Sequence, residues 1–142
     1  MNSDRIQSIT STSSHADSMK KPQRKDTINL RVWRHQTGVQ VLEGITGVIE
    51  YPLAVHRSID EFEDIQNGNR SRFSGSWRIT HVPTGKSFGI NTNNWDDIVF
   101  YVENIKDEPA LLMLTDDTMT NHPCFQQLSD KHKQLKREIM MR

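Results

Sequence analysis

The 142-residue chain contains one cysteine, Cys124, so it cannot close an intramolecular disulfide; that excludes the stapled secreted scaffolds and fits a reducing, cytoplasmic setting. No apolar run approaches the ~20 residues of a membrane span, and the N-terminus lacks the hydrophobic stretch of a signal peptide. Asp4 and Asp17 beside the early Arg5 argue against an organellar transit peptide. No repeat is visible along the chain.

An excess of charge of one sign is also missing, since 18 basic residues balance 18 acidic ones. The balance hides a split. Residues 1–25 and 130–142 each carry five basic and two acidic side chains, which leaves residues 26–129 with an excess of six acidic charges. Basic ends on an acidic body serve solubility, and the acidic body suits a basic protein partner. Residues 1–25 hold eight Ser or Thr and few apolar side chains, too little to offset the entropy of ordering, and are expected to be a disordered tail ahead of a single domain at 26–142. Met19, followed by Lys20 and Lys21, also reads as a second start site.

Among the motifs, "HVPTGKS" (residues 81–87) ends like a phosphate-binding loop. Such a loop needs a glycine five residues before Gly85, where Thr80 stands, and a helix starting at the Lys-Ser. What fits is a hairpin in which Pro83 presets the turn and Gly85 supplies a left-handed residue, so Lys86 is expected to be dispensable.

Strand alternation runs through Ile28, Leu30 and Val32, then through "VQVLEGI" and "GVIEYPLAVHR", punctuated by Gly44 and Gly47, with Pro52 at an edge or bulge. "SWRITHV" and "KSFGI" resume it after residues 58–75, which read as a long connection or a short helix plus loop. Asn94 is placed to cap a helix through Trp95, Ile98, Val99, Val102 and Ile105, with Asp96 and Asp97 in its first turn. A short apolar segment follows Pro109, and Pro123 opens a last helix with the stripe Phe125, Leu128, His132, Leu135, Ile139. The stripe packs on the sheet or, alternatively, on a second copy in a homodimer. Strands first and helices last give an α+β fold: an antiparallel sheet of about four to six strands, a meander plus a hairpin, followed by C-terminal helices packed on one face.

Six histidines form no compact ligand set, and the acidic residues Asp60, Glu61, Glu63 and Asp64 lack calcium-loop spacing, so neither metal nor cofactor is expected. No nucleophile elbow exists, and Cys124 reads as a small buried hydrophobe. One surface stands out. With Leu30 and Val32 turned to the core, Arg31, Trp33 and His35 share the other face; with Trp77 and Ile79 inward, Arg78 and Thr80 join them, and His56 or Arg57 falls nearby. A ring among guanidinium and imidazole groups holds bases and phosphates by stacking plus charge. The expected function is therefore a small, non-enzymatic binding protein for a nucleic acid or nucleotide-like ligand. The alternatives are a protein-binding inhibitor or adaptor using the acidic body, and a metal-independent ribonuclease drawing on His35, His56 and His81.

Overall fold

The computed structural model describes residues 19–34, 37–68, 76–115 and 123–142, the side chains at 60, 61, 64 and 65 excepted. Five antiparallel strands, β1 (Thr27–Arg34), β2 (Gly38–Glu50), β3 (Leu53–Arg57), β4 (Trp77–His81) and β5 (Lys86–Thr92), form a meander in sequence order. Helix α1 (Ile59–Gln66) lies between β3 and β4, and α2 (Trp95–Ile105), α3 (Ala110–Met113) and α4 (Phe125–Met140) follow the sheet. The fold is the expected α+β meander with C-terminal helices. Among the described residues, no helix is long and apolar enough to cross a membrane.

The strand boundaries differ from those expected: "VQVLEGI" and the "GVIE" that follows are one long β2, and the break falls at Tyr51 and Pro52 instead. Within β2, Gly44 is an extra residue: Ile28 pairs with Ile45 and Asn29 with Glu43, so the register slips between them. A φ of +82° makes glycine the natural occupant, and the Gly44 amide, displaced from the ladder, donates to Asn29 Oδ1 at 3.1 Å. The chain reverses later, at Tyr51 and Pro52, which are joined by a cis peptide bond.

Each face of the sheet carries its own buried core. Paired residues on neighbouring strands share a face. On the outer face Leu53, Val55, Trp77 and Ile79 pack against Ile98, Tyr101 and Val102 of α2, Leu111 of α3, and Leu128 and Leu135 of α4. The Trp95 ring meets the Trp77 ring edge-on at 5.0 Å. On the inner face Leu30, Val32, Leu42, Ile45 and Ala54 form a second core, closed by Ile59 and Phe62 of α1. The sheet curls around this smaller core until the β4–β5 turn reaches β1, where the Trp33 amide donates to the Gly85 carbonyl at 2.7 Å and Arg31 Nη2 to the Pro83 carbonyl.

Asn94 caps α2 as expected, its side chain accepting from the Asp96 amide at 3.0 Å. The stripe on α4 lies against the protein's own core, with Leu128 and Leu135 buried and Phe125 and Ile139 packed beside them.

Residues 19–25, ahead of the domain expected from 26, make contacts with it. Met19 is buried in the main core, Pro22 is buried, and the Arg24 carbonyl accepts from Thr46 Oγ1 at 3.1 Å. Composition hid this: a lone methionine among lysines has no periodicity to reveal that it fills a core gap. Deleting residues 1–18 is expected to leave the thermal midpoint within about 2 °C of the full chain, whereas deletion through Lys25 should lower it by several degrees; calorimetry on both truncations checks this.

Candidate functional site

The register distributes the expected residues over three environments. Arg31 and Trp33 stand on the outer face of β1, beyond the edge of the helical layer, directly across from Val41 and Val39 of β2. Trp33 is 42% exposed, Val39 51% and Val41 57%, so this portion of the sheet is uncovered. Lys86 joins them: it lies at the start of β5 and its Nζ sits 5.2 Å from the centroid of the Trp33 ring. The closure of β1 onto the β4–β5 turn is what brings the two together.

Arg78, Thr80 and His56 do not share that surface, contrary to expectation. Ile45 lies on the face of Ile28, Leu30 and Val32; two residues on, Gly47 pairs with His56, which pairs with Arg78, and Ala54 pairs with Thr80. All therefore point to the inner face. The parity within each strand was right, but each strand was referred to one common core, whereas Leu30 and Trp77 are buried in different cores on opposite sides of the sheet. Arg57 takes a third position, buried on the helix-covered face with its guanidinium 4.6 Å from the Trp77 ring centroid. His35 lies outside the described residues.

The inner-face group lines a cavity of about 220 Å³ together with Arg34, Ile59 and Ser87. His56 is held at both nitrogens. Its Nδ1 lies 2.8 Å from the Arg57 carbonyl, which can only accept, so Nδ1 carries the hydrogen and Nε2 accepts from the Thr80 hydroxyl at 2.7 Å. Burial pushes the His56 pKa down to about 4, with the nearby Arg78 charge acting in the same direction against the hydrogen bond to Arg57. The imidazole is neutral at pH 7.

His81 follows the same pattern on the other face. Its Nε2 donates to the Leu111 carbonyl at 2.6 Å and its Nδ1 accepts from Thr84 Oγ1 at 2.9 Å, which ties the β4–β5 turn to α3. Tyr101 donates its hydroxyl to His132 Nδ1 at 2.7 Å; burial raises the phenol's pKa and lowers that of His132, which Lys136 and Lys133 depress further. Among the described residues, no cluster of three or more His, Cys, Asp or Glu side chains could hold a metal.

The phosphate-loop reading fails on geometry as it did on spacing. Gly85 has φ +74° in the turn between β4 and β5, and Lys86 begins a strand, so no helix N-terminus is presented there. Lys86 is nevertheless no bystander, because the turn places it on Trp33. Sequence reasoning missed both Lys86 and Arg34. Arg34 carries the same parity as Leu30 and Val32, and would have been found had that face been recognised as one that also holds Arg78. Searches against protein-family models, curated proteins and solved structures return no match, so the site is read from this chain's own chemistry.

Proposed function

We propose that this protein is a non-enzymatic binding module that holds a nucleotide-like ligand or a single-stranded nucleic acid on the outer face of β1 and β2, with a base on Trp33 and phosphates at Arg31 and Lys86. The observation that carries the reading is the Lys86 ammonium resting on a half-exposed indole, 5.2 Å from its centroid, with Arg31 two residues along the same face. An exposed cation–π contact is worth about 0.5–1 kcal/mol and a stacked base about 1–3 kcal/mol. A base therefore displaces the ammonium at a net gain, and the released lysine meets the phosphate beside it.

Titration with short single-stranded oligonucleotides and mononucleotides, read by tryptophan fluorescence, tests this. Trp33→Ala is expected to weaken binding by about 1–3 kcal/mol, roughly five- to 150-fold, with the fold intact. Lys86→Ala and Arg31→Ala should each reduce the salt dependence by about one released counterion. Absence of saturable binding at sub-millimolar ligand would refute the proposal.

A protein partner is the second reading, favoured by Val39 and Val41. Together with Trp33 they make an apolar strip of the kind found at the centre of protein interfaces, and a nucleic acid has no need of the valines. Of the three histidines in the ribonuclease alternative, His56 and His81 are buried with both ring nitrogens engaged in holding strands and turns, and His35 lies outside the described residues.

A further inference from the structure

The inner-face cavity is separate from the Trp33 surface and has a chemistry of its own. Its polar lining comes from four strands: Arg34 from β1, His56 from β3, Arg78 and Thr80 from β4, and Ser87 from β5. The strand register fixes their spacing, since His56 pairs with Arg78 and Thr80 with Ser87. Ile59 at the start of α1 supplies an apolar wall.

Among the described side chains that line it, donors outnumber acceptors. A guanidinium carries five N–H donors. Arg78 spends one of these weakly, from Nε to Ser76 Oγ at 3.5 Å, and forms no ion pair among the described residues. Arg34 gives Nη1 to Glu63 at 2.7 Å and, more loosely, to Gln40 Oε1 at 3.5 Å. The neutral His56 adds no positive charge but, through Thr80, holds the floor of the cavity rigid. Two partly buried guanidinium groups and a hydroxyl around about 220 Å³ match an anion with several acceptor oxygens, which satisfies donors that water in a confined space serves poorly.

We propose that this cavity is a binding site for a tetrahedral oxyanion, a phosphate ion or the phosphate of a monoester, gripped by Arg78 and Arg34 with Ser87 at the rim. It lies on the opposite face of the sheet from Trp33, which makes it a site separate from the one proposed there. The site is built on strands, so it exists before the anion arrives and costs little ordering on binding.

Calorimetric titration of the full chain with inorganic phosphate and with glycerol phosphate, at ionic strength held constant with chloride, tests the site. Saturable binding is expected for at least one of the two, and the tighter of them identifies whether the free ion or the monoester is the natural form. Arg78→Gln should weaken it at least tenfold, and Ser87→Ala, at an exposed position whose hydroxyl otherwise accepts only from the Gly89 amide at 3.1 Å, about threefold. Trp33→Ala and the remote Lys106→Gln should leave it unchanged. If neither phosphate binds beyond what chloride does, or if Arg78→Gln and Ser87→Ala both bind as the unaltered chain does, the cavity is not an oxyanion site.

Discussion

Gly85→Val is expected to destabilise the protein by about 3 kcal/mol or more, lowering the midpoint on the order of 10 °C. Two effects combine. With φ at +74° the residue occupies the left-handed region, which a β-branched side chain resists at a cost of about 1–3 kcal/mol. In addition, a Cβ at this position would stand 3.0 Å from both the Arg31 carbonyl oxygen and the Trp33 amide nitrogen, against backbone that cannot rotate away. The turn would have to back away from β1 by a few tenths of an ångström, straining the 2.7 Å bond from Trp33 to Gly85 at the seam that closes the sheet around its inner core. Gly38→Val separates the two effects, because Gly38 has φ +75° but nothing within 4 Å of its notional Cβ. That variant should show the conformational cost alone. Equal losses for the two variants in thermal or urea unfolding would mean that the approach of the turn to β1 contributes nothing.

The glycine that resembled part of a phosphate loop thus has a structural task, and its legibility was partial for a physical reason. Spacing and strand parity excluded the nucleotide loop and required a left-handed turn residue, because both are local properties. The contact with β1 joins residues about fifty positions apart and has no local trace. The capped helix at Asn94, the stripe on α4 and the strand alternation of Leu30 and Trp77 were legible for the same reason that the turn was: periodicity and capping are written within a few residues.

The candidate surface was less legible, and the failure lies in one step. Alternation tells which residues of a strand share a side, but not whether two strands turn the same side to the same core. An antiparallel sheet with one wetted face is the common arrangement, and under it Arg31, Trp33, Arg78 and Thr80 coincide. Here α1 covers one face and α2 to α4 the other, so the buried parity of β1 and that of β4 refer to different cores. The five-residue strand β3 carried the clue: all of Leu53, Ala54, Val55, His56 and Arg57 are buried, as only a strand covered on both sides can be. In the sequence its run of three apolar residues is too short to distinguish that case from an ordinary edge strand.

Acidification should expose the cost of burying His56. Its pKa in the folded protein is pushed down to about 4, against about 6.5 in the unfolded chain, so between these values the unfolded state binds a proton that the folded state refuses. The stability this provides is fully present above pH 6.5 and is lost progressively as the pH falls from about 6.5 towards 4. The difference of about 2.5 units corresponds to roughly 3 kcal/mol, a large share of the 5–15 kcal/mol that holds a domain together. Desolvation is the leading cause, since a charged imidazole would sit among Ala54, Ile59 and the Thr80 hydroxyl with little water to solvate it; the Arg78 charge adds to the penalty. His132, also depressed by burial and by its lysine neighbours, contributes in the same direction. Urea unfolding at pH 8, 6, 5 and 4 measures the slope. His56→Gln should be less stable than the native chain at pH 8, having lost the paired bonds to Thr80 and Arg57, yet flatter between pH 6.5 and 4, so that the gap between the two proteins narrows on acidification. A gap that stays constant with pH would show that His56 already accepts its proton in the folded state, and that Thr80 and Arg78 do not hold it neutral.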